Sequence, residues 1–305
     1  MSAKSEELEH ERPNPPRRGL KKGLYLIPSA FTAANIAMGF FSVMSSLRGF
    51  QLLGGPNADA VAAQPHFDNA AIAIGFALLF DMLDGRIARL TKTTTEIGIQ
   101  LDSIADVVTF GLAPAILAYV WGYGVSFGQG SELHQAAWFV SFLFLMCGAF
   151  RLARFNVQAS RPRVLAEGAV KTDKKSFVGL PIPVAGGFIA ALVHFSPVPL
   201  IHFGPDRARI YAGLFMLLVG VLSLMMVSTL RFSSFKTVGT GSRSMRPIIL
   251  ALAVLVLVFL YSRYVLLAIV VMYILHGLLS RVASVFWRRS DSAETKIEAN
   301  PVRRS

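Results

Sequence analysis

Between residues 81 and 106 the chain reads Asp81-Met-Leu-Asp84-Gly85-Arg-Ile-Ala88-Arg89, then eight residues, then Gly98-x3-Asp102-x3-Asp106. Asp81 and Asp84 stand at i,i+3, and Gly98, Asp102 and Asp106 at i,i+4,i+8, so on two helices each set falls on one face. Four carboxylates can then converge where the helices meet. At roughly 5 Å separation and an effective dielectric of about 20, each close pair repels by about 3 kcal/mol. The cluster therefore needs protons, an arginine or divalent cations. Oxygen-only ligands suit Mg²⁺ or Mn²⁺ rather than zinc. Gly85 and Ala88 leave one face without bulk, so a nucleotide or another helix can approach the backbone closely. Arg89 supplies a planar, permanent cation suited to phosphate oxygens. The competing readings are a charged helix end with solvated acids, or carboxylates that share protons in an ion-coupled transporter.

Three further groups of residues invite chemistry. Pro28-x3-Thr32-x2-Asn35 sets Thr32 and Asn35 on one face of an apolar helix, either to line a site or to make ordinary interhelical hydrogen bonds. Arg151-Leu-Ala-Arg154-Phe-Asn156 closes another apolar stretch with two arginines on a shared face. They either snorkel to the membrane surface or capture a carboxylate or phosphate beside the acidic site. Phe177-Val-Gly179-Leu-Pro181-Ile-Pro183 opens a later stretch, and prolines there are ordinary helix starters. His194 and His276 sit in apolar sequence with no metal-ligand partner at helical spacing, so they read as packed or interfacial side chains. The single cysteine, Cys147, excludes a disulfide framework and reads as a buried packing residue.

The elements that must position these residues are membrane helices. With 53% hydrophobic and 16% charged residues and a mean hydropathy of +0.53, the chain is too apolar for an ordinary soluble domain. Apolar stretches near 25–47, 69–90, 97–121, 135–157, 178–195, 208–230, 247–261 and 264–286 predict an all-α polytopic protein with about eight transmembrane helices. Lysine and arginine number 6 in residues 1–24, 3 in 86–96, 7 in 151–176, 4 in 230–246 and 6 in 281–305. That places 26 of 30 on one side, which sets both termini and the aspartates in the cytosol and leaves Arg48, Arg207, Arg209 and Arg263 outside. The net charge of +12 is spread over these segments without a nucleic-acid reading module, so an anionic lipid surface is the expected partner and nucleic acid is not.

The expected organisation is a disordered cytosolic tail (1–24), a six-span core (25–230), a cytosolic linker (231–246), a two-helix extension (247–286) and a second cytosolic tail (287–305). The segment 48–68 is expected as an external loop, because of Gly54-Gly55-Pro56 and Pro65. Residues 158–176 are expected as a basic cytosolic loop. The first apolar stretch is too long for a signal peptide, so the chain is expected to stay in the cell (inner) membrane.

All eight specified positions of D-x2-D-G-x2-A-R-x8-G-x3-D-x3-D are matched. From average residue usage a chance match is about 10⁻¹⁰ per starting position, which sets coincidence aside. By this signature the chain resembles the CDP-alcohol phosphatidyltransferases. Leu26-Ile-Pro28 through Asn35, residues 151–156 and Phe177 to Pro183 are similar to the phosphatidylserine synthase branch of that family, over roughly residues 24–230.

The resemblance implies transfer of the phosphatidyl group of CDP-diacylglycerol to L-serine, giving phosphatidylserine and CMP, with two Mg²⁺ or Mn²⁺ per site. Asp81, Asp84 and Asp102 would then be metal ligands, and Asp106 both a ligand and the general base. Gly85, Arg89 and Gly98 would border the CDP group, with Thr32 and Asn35 closing the nucleotide pocket. Arg151, Arg154 and Asn156 would hold the serine. A homodimer is implied as well. No Ser, Cys or His is specified in the motif beside an activating base, which favours direct displacement over a covalent intermediate. Within the same family the acceptor could instead be glycerol 3-phosphate, inositol phosphate or choline.

Overall fold

The computed structural model describes residues 18–54, 58–91, 96–160, 176–228, 231–233, 256–258 and 260–277. The chain is all-α and polytopic. The helices are α1 (Arg18–Leu53), α2 (Ala60–Thr91), α3 (Glu96–Asp106, continuing without a break to Ser126), α4 (Glu132–Ser160), α5 (Ile182–Phe195), α6 (Pro205–Val227) and α7 (Leu260–Gly277). Among the described residues, five stretches are long and apolar enough to cross a membrane: Ala30–Leu53, Ile97–Ser126, Glu132–Val157, Pro205–Val227 and Leu260–Gly277. Helix α2, with 32 residues, has the length to cross as well, although its motif acids and arginines dilute its hydropathy. The protein is integral to a membrane.

Helix α5 has 14 residues, which rise only about 21 Å. The span is completed by Gly179-Leu180-Pro181, whose non-helical backbone is tolerated because it is buried in protein rather than in lipid. There the Leu180 amide donates to the Met225 carbonyl of α6 at 3.0 Å. Gly179 has φ +84°, and a Cβ there would stand 2.3 Å from the Met226 carbonyl oxygen, so only glycine fits. Just before it, β1 (Ser176–Val178) pairs antiparallel with β2 (Arg231–Ser233), tying the entrance of α5 to the exit of α6. The stretch Phe177 to Pro183 thus divides into a strand end, an extended connector and a helix start.

Three expected boundaries move. Residues 18–24, assigned to the tail, are already part of α1, which begins two residues after Pro16. The external loop expected at 48–68 shrinks to the few residues between Leu53 and Ala60. Asp59 caps α2 by accepting from the amides of Val61 and Ala62, and the helix runs on through Pro65, which lies inside it and leaves the Val61 carbonyl without its usual intrahelical donor. The break expected near residues 262–263 is absent, and α7 runs straight through Arg263. Most of the expected span 247–261, both tails beyond these limits and the loop 161–175 lie outside the described residues.

Helix α1 packs along α2, α2 also packs against α5, and α4 packs against α6. Through the middle runs the continuation of α3. Phe110, Ala113, Leu117, Ala118 and Tyr123 on it are fully buried. It contains two π-helical segments, Val107–Leu112 and Tyr119–Tyr123, and the first begins directly after Asp106. Such widened turns recur beside functional groups because each shifts the facing of every later side chain. Here the first lets Thr109 meet α1 at Gly39 while the Phe110 carbonyl closes on Gly186 of α5. A Cβ at Gly39 would stand 2.5 Å from Thr109 Oγ1, so glycine permits the close approach of α1 to α3.

Candidate active site

The i,i+3 and i,i+4,i+8 spacings act as the helix geometry requires. Asp81 on α2 and Asp102 and Asp106 on α3 each turn one carboxylate oxygen toward the others, and these atoms all lie within 4.8 Å of one another. All three are half-buried. Oδ1 of Asp106 is buried and has no hydrogen-bond partner among the described residues. A buried orphan oxygen among clustered carboxylates is uncompensated unless a cation completes it. Three oxygen donors at this separation suit a hard divalent ion, and no softer ligand stands among them.

Asp84, the expected fourth member, is within electrostatic reach of Asp81 and Asp102. Its Oδ2 accepts a hydrogen bond from Thr32 Oγ of α1, and both side chains are buried. Thr32 therefore meets the acidic motif itself. Asn35, one turn further along α1, is buried, and neither its side-chain nitrogen nor its oxygen has a partner among the described residues. Its backbone carbonyl accepts from Thr109 Oγ1 of α3 at 3.2 Å. Unpaired amide groups of this kind stand ready for a hydrogen-bonding ligand.

A cavity of about 510 Å³ opens beside Asp81, lined also by Met82, Gly85 and Arg86. Gly98 is half-buried on the first turn of α3. Arg89 lies on α2, but its side chain is outside the described residues. The arginine pair of α4 separates. The Arg151 guanidinium is half-buried within electrostatic reach of Asp106, and its Nε has no hydrogen-bond partner among the described residues. Arg154 is exposed. Positions i and i+3 are about 60° apart around a helix, enough to put one inside and one out. Asn156 Nδ2 donates to Ser103 Oγ at 2.8 Å, and Ser103 donates to the Ile99 carbonyl at 2.9 Å. Asn156 thus meets α3 beside Asp102, one residue removed from the carboxylates.

Several residues at the site were not singled out by sequence reasoning. Arg86 and Ser103 occupy unspecified positions within the motif, and their adjacency to Asp84 and Asp102 was the available signal. Thr109, three residues after Asp106, carried no signal, because a π-helical turn decides its facing. Between α3 and α4, next to these acids, runs a cleft of about 770 Å³ with a mainly apolar lining that includes Ile104, Val107, Val108, Leu152 and Val157.

A second polar group lies near the opposite end of α2. His194 Nδ1 is 2.5 Å from Asp68 Oδ1, His194 Nε2 is 2.9 Å from Ser262 Oγ, and Arg263 reaches Asp68 Oδ2 at 3.4 Å. His194 is buried, as expected, but its partners come from α2 and α7, a relation that spacing within one helix cannot reveal. His276 is exposed.

The chain is 33% identical over 256 residues to a Helicobacter pylori protein named CDP-diacylglycerol--serine O-phosphatidyltransferase, covering 84% of this chain and 91% of that one. A Saccharomyces cerevisiae protein of the same name is 35% identical, covering 58% of this chain and 59% of its own. One from Methanocaldococcus jannaschii is 39% identical, covering 38% and 45%. The family profile described as CDP-alcohol phosphatidyltransferase matches residues 25–225, which takes in α1 to α6, the acidic trio and Arg151. Two thirds of the chain thus follow that profile, with the acids brought together as its chemistry requires, and the protein belongs to the CDP-alcohol phosphatidyltransferase family, a family of transferases.

Proposed function

We propose that the protein transfers the phosphatidyl group of CDP-diacylglycerol to the hydroxyl of L-serine, releasing CMP. The observation that carries this reading is the convergence of Asp81, Asp102 and Asp106 with the half-buried Arg151 guanidinium within electrostatic reach of Asp106. It joins a cation-binding carboxylate cluster to a fork suited to the carboxylate of an amino-acid acceptor. The names of the relatives support the same substrates.

Asp81, Asp102 and Asp106, with Asp84 behind them, would hold the divalent cations, Mg²⁺ or Mn²⁺, two per site. Bound there, such ions draw charge from the pyrophosphate and stabilise the leaving phosphate. The chain's own residues do the positioning. Gly85 leaves open backbone beside the cavity at Asp81, where the CDP group would lie, with Arg86 at its border; Arg89 and Gly98, as motif residues, would border the CDP group as well. Asn35 offers the nucleotide a donor and an acceptor, and Thr32 holds Asp84. The cleft between α3 and α4 gives the acyl chains an apolar exit toward lipid. Asp106 takes the proton of the serine hydroxyl, whose oxygen bonds to the lipid-attached phosphorus as the phosphorus–oxygen bond to CMP breaks. Ser103, the hydroxyl beside Asp102, is committed to Ile99 and Asn156. This favours direct displacement over a covalent enzyme intermediate.

The assay that tests this uses the purified protein with CDP-diacylglycerol and L-serine, glycerol 3-phosphate, inositol phosphate or choline in turn, reading CMP and the lipid product. Phosphatidylserine with serine alone is the expected result. A lipid product from another alcohol instead would reassign the acceptor, and solute flux without CMP release would replace the enzyme with a transporter.

The same reading puts the site and both termini in the cytosol of a cell whose inner membrane holds the protein as a homodimer. The support for this orientation is the 26 of 30 cationic residues on one side. With the buried Cys147 replaced by serine, a cysteine placed within 161–175 should react only with reagent on the cytosolic face. One at Ser131, between α3 and α4, should react only from the other. Reversed labelling overturns the orientation.

A further inference from the structure

Helix α1 is fastened to its neighbours at two points around Asn35. Three residues before it, Thr32 Oγ donates to Asp84 of α2, and both side chains are buried. At Asn35 itself the backbone carbonyl accepts from Thr109 Oγ1 of α3 at 3.2 Å, and Thr109 is fully buried. Inside a helix that carbonyl ordinarily serves the amide four residues on, which here belongs to Gly39. A carbonyl oxygen has two lone pairs, so it can take the threonine hydroxyl as well.

Gly39 gives that hydroxyl its room. A Cβ there would stand 2.5 Å from Thr109 Oγ1, 3.0 Å from Thr109 Cα and 3.1 Å from Thr109 Cβ. The single turn from Asn35 to Gly39 is therefore seated on one residue of α3, by a hydrogen bond at one end and close packing at the other. That residue follows Asp106 by three positions and lies in the π-helical segment Val107–Leu112. The side chain carried by the seated turn, the Asn35 amide, is buried, and neither its nitrogen nor its oxygen has a partner among the described residues. A buried donor and acceptor left open in this way are costly until a ligand completes them.

We infer that Thr109 is a positioning residue for Asn35. Its hydroxyl fixes the turn of α1 that presents the Asn35 amide, so the helix that carries Asp102 and Asp106 also sets where the nucleotide is gripped relative to them. The inference rests on the reading of Asn35 as a nucleotide contact. Without the hydroxyl, α1 keeps its bond from Thr32 to Asp84 but loses the second point that fixes its rotation at Asn35. The effect then falls on nucleotide affinity, whereas the acceptor's carboxylate is taken by a residue of α4.

The test is kinetics on the full-length enzyme in lipid-containing micelles, reading the CDP-diacylglycerol KM, the serine KM and the inhibition constant of added CMP. The variants are Thr109→Val and Thr109→Ala, which both remove the hydroxyl, Thr109→Ser, which keeps it, Asn35→Ala, and Asn35→Ala combined with Thr109→Val. Losing the hydroxyl should raise the CDP-diacylglycerol KM and the CMP inhibition constant together by about fivefold, the scale of one uncharged hydrogen bond, and leave the serine KM level. Thr109→Ser should restore both nucleotide values. In the Asn35→Ala background Thr109→Val should add nothing, because the two changes act through one contact. If Asn35→Ala weakens CMP while Thr109→Val and Thr109→Ala leave it at the wild-type value, this inference fails and the nucleotide reading of Asn35 stands. If Asn35→Ala itself leaves CMP inhibition unchanged, that reading fails and the inference falls with it. A Thr109→Val effect that persists in full without the Asn35 amide overturns the inference. So does equal weakening toward both substrates with a lowered thermal midpoint and no rescue by serine at 109, which would make the threonine a packing residue.

Discussion

Asp106→Asn is expected to yield a folded, membrane-inserted protein whose CMP release falls by at least about 10³-fold, because it removes a proton acceptor and a cation ligand together. Asp81→Asn and Asp102→Asn, which break the same 4.8 Å cluster, are expected to fall as far. Asp84→Asn should also nearly abolish turnover, through its neighbours Asp81 and Asp102 and its bond from Thr32. Excess chelator should silence the wild type, and Mg²⁺ or Mn²⁺ should restore it. Stability supplies a readout independent of turnover. The wild-type thermal midpoint should rise with added Mn²⁺, since a ligand that binds only the folded state stabilises it, whereas that of Asp106→Asn should stay level. In chelator the order should reverse, because one carboxylate fewer relieves pairwise repulsion of about 3 kcal/mol at an intermediate dielectric. Full activity in any of these variants, or in excess chelator, would sink the cation site.

Arg151→Ala is expected to raise the serine KM by 30- to 1000-fold, the equivalent of about 2–4 kcal/mol for a lost charged, bidentate contact. Binding of CDP-diacylglycerol should stay nearly intact. Arg154→Ala should change little, because Arg154 is exposed while Arg151 is half-buried within electrostatic reach of Asp106. The contrast matters more than either value. A surface role in anchoring to lipid headgroups would make the two arginines equivalent, and a role at the lipid phosphate would move the CDP-diacylglycerol KM instead. Equal effects, or none at Arg151, would remove the physical basis for choosing serine over an uncharged alcohol.

Much of the site was legible before any fold was known, because helix periodicity is local. The spacings from Asp81 to Asp106 needed only 3.6 residues per turn to put carboxylates on facing surfaces. Long apolar runs needed only the thickness of a bilayer to become spans. The boundaries were harder to read. The start of α2 turned on the Asp59 cap, and α7 runs on through Arg263, whose partner Asp68 stands 195 positions away in the chain.

The sequence by itself determined the helical membrane architecture, the acidic motif and, through that motif, the family, since each depends on residue type and spacing along one or two neighbouring helices. Tertiary structure alone decided which candidates meet. It turned Arg151 inward, within electrostatic reach of Asp106, and Arg154 out, an outcome set by the rotation of α4 about its own axis. It gave Thr32 to Asp84 and left the Asn35 amide unpaired, which depends on how closely Gly39 lets α1 approach α3. It drew His194 from an apparent packing role into a clamp with Asp68 and Ser262 on two other helices. Contacts of this kind depend on helix rotation, π-helical register and close backbone approach, and none of these is encoded within a single turn of sequence.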